Sequence, residues 1–561
     1  VVTMGASSIA DSRAGTINSR LGTSNYKTVK AESGTQEDGT YFDSEFSSLG
    51  ELIEAETEVA EQISAEGSVL LKNDNQALPV DTSSEKVTIW GLNSTNPVLG
   101  GAIGSPAAVN AEEGQKMYGI EEALQEKGFN LNTTMMDFYN DPSLDEYRMN
   151  VDFFGNQMTG HALTPNFTST YEAPASYSVG EAPASVYTDD VLASADGTTA
   201  LVVITRDSSE ACDYNTQMEA TMGDRFERPL ALSDYEKDML ELAKEHSSKV
   251  IVLINSTNPM ELGDLKTDDG IDSILWVGTP GINGFLGVAD ILSGEVNPSG
   301  HLADTYMNNV MSSPAMTNFG IYLYSNNSTA AGSQLKEEDK GDWYIVETEG
   351  IYTGYKYYET RYEDSVLGRG NADSTEGSTT EGAWEYADEV TYPFGYGMSY
   401  TTFDQELESV DVQVGGTGTA VVKVTNTGDV AGKCAVQLYM RAPYTEGGLE
   451  KSAVQLLDFG KTDILQPGES TELTIEFNPQ YMASYDEDAV KEDGTQGAWV
   501  LEQGDYYFTV ANGSHEAVNN ILANKTGTTD GLTTITPDET INGDNAIVWN
   551  LAQTDVETYS E

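Results

Sequence analysis

The chain of 561 residues contains 91 acidic and 28 basic residues, so its net charge is −63, and 39% of its residues are hydrophobic. This length predicts two to four domains, and the negative charge disfavours nucleic acids and anionic membrane surfaces as partners. With only two cysteines and four scattered histidines, the sequence predicts neither a disulfide framework nor a metal site, and we expect no cofactor.

The first part of the chain changes from a polar leader to an amphipathic helix. Residues 1–45 are rich in Ser, Thr, Gly and Ala and predict a poorly packed leader. Ser48 and Glu51 then form a capping-box pattern, the next apolar residues fall on one helical face, and Gly67 is typical of a helix end. We therefore expect a helix between these positions.

Short apolar runs alternate with helical patterns over residues 46–308. One predicted helix starts at a capping box formed by Ser233 and Glu236, and another, NGFLGVADILSG, ends at Gly294. Such alternation is typical of an α/β domain with a mostly parallel sheet covered by helices on both faces. Residues 130–195 show no clear period and are predicted to be a long polar insertion. The predicted strands are residues 68–72, 86–90, 199–205, 249–255 and 273–277.

The pattern changes in the second half of the chain. Residues 309–404 are aromatic and Gly-rich and are predicted to be a linker, with the low-complexity stretch GRGNADSTEGSTTEGA as a mobile loop. Residues 405–525 contain short alternating strands separated by Gly and Pro turns, which predicts an immunoglobulin-like β-sandwich. Residues 526–561 predict a polar tail or linker.

Several sequence blocks, taken in order, resemble glycoside hydrolase family 3. They are AEGSVLLKNDNQALPV, INSTNPMEL, PGINGFLGVADILSGEVNPSGHLADTY, EGIYTGYKYYETRY and YPFGYGMSYTTF, and the resemblance covers residues 46–525. It implies a flavodoxin-like α/β sandwich followed by a fibronectin type III-like domain. It also implies a retaining, exo-acting β-glycosidase, often a β-glucosidase, that releases terminal sugars from oligosaccharides or glycosides with two carboxyl groups.

The general acid/base glutamate of this family follows a strand that ends in Ser-Arg, and ITRDSSEACD matches that layout. The resemblance therefore implies that Glu210 protonates the leaving oxygen and then activates water, with Asp213 at the following substrate-binding position. Glu210 also follows the carboxyl end of a predicted parallel strand, where ligands bind in open α/β sheets. Asp207 and Glu219 are nearby alternatives for the acid role.

The segment around Glu210 departs from the family pattern, because Ser209 and Ala211 replace glycines and Tyr214 replaces a common arginine. This departure keeps open a second function, a non-catalytic carbohydrate-binding or assembly subunit. A further loop, LGGAIGSPAAVN, resembles the Gly- and Ser-rich loop of the family that contacts the sugar, which implies that Ser105 binds a sugar hydroxyl. The alternative is that its glycines only allow a tight turn.

The aspartate nucleophile of the family lies on a (β/α) barrel whose motifs are absent from this sequence. The one Asp-Trp pair, Asp342-Trp343, lies in the aromatic block and is interpreted as structural or incidental. Family members of reversed domain order begin with an anchor or signal and a Ser/Gly-rich stretch, and their barrel comes last. We therefore expect a barrel domain or second chain as the partner. The expected setting is a secreted or cell-surface enzyme of bacterial type. The sequence is also compatible with a homo-oligomer.

Overall fold

The structure is a computed structural model and describes residues 45–100, 115–151, 157–159, 176–206, 214, 219–220, 223–317, 319 and 346–560. The chain divides into two compact units, Val1–Glu54 and Ala55–Glu561. In the first unit the predicted helix begins at Leu49, and Ser48 Oγ accepts a hydrogen bond from Glu51 N at 3.2 Å. The predicted N-terminal cap is therefore confirmed.

Helices and strands alternate through the α/β part of the chain. Within the described ranges, the helices up to residue 389 are α1 (Leu49–Gly67), α2 (Ile120–Glu126), α3 (Thr133–Tyr139), α4 (Asp189–Ala193), α5 (Asp234–His246), α6 (Gly263–Thr267), α7 (Phe285–Ser293), α8 (Pro314–Thr317), α9 (Tyr355–Leu367) and α10 (Tyr386–Glu389). The strands up to residue 392 are β1 (Val69–Asn73), β2 (Lys86–Trp90), β3 (Asn130–Leu131), β4 (Met149–Val151), β5 (Gln157–Thr159), β6 (Ser176–Tyr177), β7 (Thr199–Arg206), β8 (Glu219–Ala220), β9 (Lys249–Ser256), β10 (Ser273–Trp276), β11 (Tyr306–Met307) and β12 (Val390–Tyr392).

A six-stranded sheet forms the centre of this α/β domain, in the order β1-β10-β9-β7-β2-β3. All five predicted strands are present, each within one residue at either end. Neighbouring strands are parallel, except that β1 pairs antiparallel with β10 at the edge. The predicted mostly parallel sheet is therefore confirmed.

Alternate side chains of the central strands pack into two separate cores. Val202 and Ile204 of β7 lie in one core with Met239 of α5, whereas Leu201 and Val203 lie in the other with helix α7. This alternation follows from the two-residue period of a strand, and helices cover both faces of the sheet. Both predicted helix signals are confirmed, since Ser233 and Glu236 form a reciprocal capping box and Gly294 ends α7 with φ +79°.

The predicted polar insertion at residues 130–195 is wrong for its first ten residues, which belong to the folded α/β domain. Residues 130–139 contain β3 and α3, and Met135 and Tyr139 of α3 are buried in the core. Asn132 ties this segment to the sheet, because its Nδ2 donates to Thr88 Oγ1 at 3.0 Å. A seven-residue helix is too short to show a period in the sequence.

The predicted linker at residues 309–404 contains packed secondary structure. Helix α9 buries Tyr358 and Tyr362, and β12 pairs antiparallel with β11. The low-complexity stretch, predicted as a mobile loop, is held by Arg361, whose Nε donates to Ala372 O at 3.0 Å and whose guanidinium lies 4.9 Å from the centre of the Trp384 ring. Aromatic side chains supply this packing. The composition revealed that this segment is aromatic, but it did not indicate where these side chains lie in the fold.

A β-sandwich follows, as predicted. Its elements are β13 (Phe403–Val412), β14 (Gly418–Asn426), β15 (Ala435–Arg441), β16 (Gln455–Lys461), β17 (Ser470–Phe477), β18 (Ser484–Val490), β19 (Gln496–Val500), β20 (Gly504–Ala511), helix α11 (Ser514–Thr526) and β21 (Ala546–Leu551). The sheets have the orders β13-β14-β17 and β16-β15-β20-β21 with antiparallel pairing, and β18 and β19 form a separate hairpin. The apolar core between the sheets contains Val422, Leu438 and Phe508.

The predicted polar tail at residues 526–561 is partly wrong, because it contributes a strand to the sandwich. Strand β21 pairs with β20 from Gly504 opposite Leu551 to Thr509 opposite Ala546. Its inward-facing side chains pack on the sandwich core, and Trp549 lies 5.4 Å from the Tyr506 ring. Among the described helices, none combines the length and apolar character needed to cross a bilayer.

Candidate active site

The connections of the central sheet reverse direction between β2 and β7. From β2 the chain proceeds to β3 on one side, whereas from β7 it proceeds to β9 and β10 on the other. Strands β2 and β7 are parallel neighbours, with Trp90 opposite Val202. In open α/β sheets, ligands bind beyond the carboxyl ends of the strands at such a switch point. The fold therefore places the candidate site beyond the ends of β2 and β7.

The end of β2 makes a close approach to β7. Gly91 has φ +106°, and a Cβ at this position would lie 2.8 Å from Val203 O, so a side chain does not fit. Gly91 N donates to Tyr139 Oη at 2.9 Å, and Leu92 N donates to both carboxyl oxygens of Glu181 at 3.0 Å. Buried side chains thus satisfy the backbone N–H groups that the end of the strand leaves free.

Glu181 is a buried carboxyl group at this switch point. Its side chain is only 3% exposed, and Ala182 N donates to it at 2.9 Å. Burial raises the pKa of Glu181 to about 8, and the nearby carboxyl groups of Glu236 and Asp224 act in the same direction, whereas the backbone hydrogen bonds lower it. Glu181 therefore holds a proton at neutral pH and fixes the turn after β2.

The end of β7 is anchored by Arg206, which is fully buried. Its guanidinium donates to both carboxyl oxygens of Glu236, at 2.7 and 2.8 Å. It also donates to Pro229 O at 2.7 Å and Ala231 O at 2.6 Å. These bonds connect the strand end to the N-terminus of α5 and fix the chain four residues before Glu210 in the sequence.

Tyr214 anchors the chain on the other side of residues 207–213. It is buried, and its ring lies edge-on to Tyr177 with 5.2 Å between centroids and 87° between planes. Asp224 accepts a hydrogen bond from Tyr235 N at 3.0 Å, and burial raises the pKa of Asp224 to about 6. The tyrosine that departs from the family pattern is therefore a core residue here.

Asn255 at the end of β9 holds the chain that precedes residue 101. Its Oδ1 accepts from Val98 N at 2.7 Å, and its Nδ2 donates to Val98 O at 2.8 Å and to Gly278 O at 2.6 Å. In addition, Gly281 N donates to Leu99 O at 2.8 Å. The start of the loop that contains Ser105 is therefore fixed at the same edge of the sheet.

The predicted site residues Glu210, Asp213 and Ser105 lie outside the described residues, as does Asp207. Of Glu219, the structure describes the backbone, in a strand that pairs in parallel with β6. Their roles therefore stay predictions. The structure does bring together the strands that precede them, because β2 leads toward residue 105 and β7 leads directly to residue 207.

Sequence reasoning missed three residues that shape this edge, namely Glu181, Arg206 and Asn255. Arg206 and Asn255 each stand at the polar end of an apolar strand, which is the signal that could have identified them. Glu181 gives no such signal, because its burial depends on tertiary packing. Within the ranges that the structure describes, no three His, Cys, Asp or Glu side chains are grouped as metal ligands would be.

Comparisons with known proteins agree with this architecture. Residues 68–400 match the glycosyl hydrolase family 3 C-terminal domain, and residues 435–514 match a fibronectin type III-like domain. Beta-glucosidase A of Butyrivibrio fibrisolvens is 31% identical over 483 residues, which are 80% of this chain and 49% of that protein. A beta-glucosidase of Ruminococcus albus is 29% identical over 451 residues, 80% of this chain and 39% of that protein.

Two solved structures of similar proteins extend the comparison. A beta-glucosidase from Paenibacillus barengoltzii superposes with a TM-score of 0.62 at 28% identity, covering 90% of this chain and 44% of the other. Beta-glucosidase 3B from Thermotoga neapolitana, in complex with glucose, has a TM-score of 0.60 at 25% identity and covers 90% and 55%. The chain thus spans roughly half the length, or less, of these relatives.

Proposed function

Because this chain belongs to glycoside hydrolase family 3, we propose that it is part of a retaining β-glycosidase that releases terminal non-reducing sugars from oligosaccharides or glycosides. The relatives named above are beta-glucosidases, which supports a β-glucoside as substrate. The observation that carries the proposal is the switch point, since residues 105 and 210 follow the two strands that flank it.

In this proposal Glu210 is the general acid/base. As a carboxylic acid it donates its proton to the departing glycosidic oxygen while an aspartate carboxylate forms a bond to the anomeric carbon. As a carboxylate it then takes a proton from the water that attacks the same carbon and releases the aspartate. Proton transfer of this kind contributes on the order of 10²–10⁴ in rate.

Other parts of the proposed site come from Ser105, Asp213 and a partner domain. Ser105 and Asp213 hydrogen-bond sugar hydroxyl groups, and a (β/α) barrel supplies the aspartate nucleophile about 5–5.5 Å from Glu210, as retention requires. The proposed setting is secreted or at the cell surface, where glycans are available. No step of this reaction needs a metal or an organic cofactor.

The test is Glu210→Gln in the full-length protein, with the barrel present. We expect kcat to fall by on the order of 10²–10⁴ for a cellobiose-like substrate. The loss should be smaller for an aryl glucoside with an activated leaving group, because such a group departs without protonation, and azide should partly restore turnover.

Glu219→Gln is the matched control, because Glu219 is the alternative acid and this change removes its carboxylate. Unchanged turnover in Glu210→Gln, or a loss confined to Glu219→Gln, would contradict the assignment of Glu210. If the unaltered full-length protein binds glucosides without hydrolysing them, the second function holds, a non-catalytic carbohydrate-binding or assembly subunit. The replacements Ser209, Ala211 and Tyr214 favour that outcome.

A further inference from the structure

A groove of about 490 Å³ lies on the sandwich, and none of its lining residues belongs to the six-stranded sheet. Its floor is apolar and consists of Met440, Ala442 and Met482, which are all buried. Hairpin β18–β19 and the turn before it form one wall, and the segment that leads into α9 forms another. The groove is therefore separate from the candidate active site.

Three exposed aromatic side chains line this groove. Tyr481 is 59% exposed, Tyr485 is 56% exposed and Trp499 is 44% exposed. Single exposed aromatic residues are common, but three that converge on one concave surface indicate a binding site. Their exposed faces provide apolar area that this part of the chain leaves in contact with water.

The fold holds the rings of Tyr485 and Trp499 against each other and fixes the backbone at Tyr481. Tyr485 lies directly opposite Trp499 in the antiparallel hairpin, with 5.6 Å between ring centroids and 68° between planes. Gly497 leaves space for the Tyr485 hydroxyl, because a Cβ there would lie 2.4 Å from that oxygen. The carbonyl of Tyr481 accepts a hydrogen bond from Gln455 Nε2 at 3.0 Å. A rigid aromatic surface loses little entropy when a ligand binds.

Charged and polar side chains, Glu450 and Lys451 among them, also line the groove. Lys356, Gln455 and Gln480 contribute an ammonium and two amides. Burial alone lowers the pKa of the half-buried Lys356, so among the described residues no carboxylate is paired with its ammonium group. Its hydrogens are thus available to an uncharged acceptor, such as a hydroxyl group.

We propose that this groove, lined by Tyr481, Tyr485 and Trp499, binds a segment of a β-linked glucan apart from the site of cleavage. A pyranose ring presents an apolar C–H face that packs on an aromatic ring, and its rim of hydroxyl groups bonds amides and ammonium groups. A neutral glucan is also not repelled by a protein with a net charge of −63. The choice of a β-glucan rests on the proposed function, whereas the geometry of the groove does not.

The test is electrophoresis of the full-length protein through native gels that contain a soluble mixed-linkage β-glucan, with excess glucose to occupy a site that binds chain ends. We expect the β-glucan, but not an α-glucan of similar size, to retard the protein. Tyr485→Ala and Trp499→Ala should each weaken binding about tenfold, the effect of losing roughly one aromatic contact.

Phe459→Ala is the matched control, because Phe459 is an aromatic residue of the same sandwich that is 66% exposed and lies outside the groove. It should leave the retardation unchanged. Tyr481→Ala, on a different element from the hairpin, provides a second test if Trp499→Ala lowers the urea midpoint. Equal retardation of all variants, or no retardation of the unaltered protein, would overturn the proposal.

The proposed function and this groove can fail independently. Glu210→Gln should bind β-glucan normally, and Tyr485→Ala should hydrolyse a small aryl glucoside normally. If Tyr485→Ala instead disrupts association with another domain or a second copy, measured by light scattering, the groove is a protein interface and the glucan proposal is wrong.

Discussion

At the scale of single residues, Glu181 links the turn after β2 to the pH dependence of stability. Its pKa is about 8 in the folded protein and about 4.3 in an unfolded chain. The folded state therefore keeps a proton that the unfolded state has released, so this contribution to stability is present at low pH and is lost as the pH rises through about 8. One such proton changes the free energy of unfolding by about 1.4 kcal/mol per pH unit.

We therefore predict that Glu181→Gln, which keeps the acceptor oxygen, removes this slope. Between pH 5 and pH 8 the free energy of unfolding in urea should fall more steeply for the unaltered protein than for the variant. Glu408→Gln, at an exposed position of β13, is the control and should follow the unaltered protein. Parallel pH profiles of the Glu181→Gln variant and the unaltered protein would show that Glu181 is ionised in the folded state.

Arg206 gives a second prediction at this scale. Arg206→Met should cost about 3–5 kcal/mol of unfolding free energy, because it leaves the buried carboxylate of Glu236 without its partner. The double variant Arg206→Met with Glu236→Gln removes the unpaired carboxylate and should recover part of the lost unfolding free energy. Urea unfolding followed by tryptophan fluorescence measures both values. A double variant that is less stable than Arg206→Met would contradict this account.

At the scale of elements, the sequence indicated those whose signals are local. The capping box of Ser233 and Glu236 located the start of α5, and continuous apolar runs located the buried strands. Helix α3 was missed because its seven residues form only about two turns, which is too short to show a periodic apolar face. The site was anticipated only as two loops after neighbouring strands, because the burial of Glu181 and Arg206 depends on distant segments of the chain.

Strand β21 was also missed, and it provides a prediction for the sandwich. Trp549 packs inward on the core, whereas Val548 on the same strand is 45% exposed. Trp549→Ala should therefore cost about 2–3 kcal/mol, below the value for a fully buried tryptophan, and Val548→Ala should stay within about 0.5 kcal/mol. Urea unfolding tests both. Equal effects of the two variants would mean that residues 546–551 do not belong to the folded sandwich.

At the scale of the whole molecule, two effects of salt on stability oppose each other. Salt weakens ion pairs, such as Lys433 with Glu66 at 2.6 Å, which joins α1 to the sandwich. However, partly exposed pairs each contribute only about 0–1 kcal/mol, and 28 basic residues cannot neutralise 91 acidic ones. Repulsion among the excess carboxylates acts over the entire surface and disfavours the compact state. Screening of this repulsion should be the larger effect.

We therefore predict that sodium chloride stabilises this protein. Raising its concentration from 0.05 to 0.5 M shortens the screening length from roughly 14 to 4 Å, and the melting temperature should rise by at least about 2 °C. Sucrose at the same osmolality separates screening from general exclusion effects. Lys433→Met should reduce stability slightly at low salt and keep the same upward trend. A melting temperature that falls with sodium chloride would mean that the ion pairs between elements, rather than the net charge of −63, determine how the stability of the fold depends on salt.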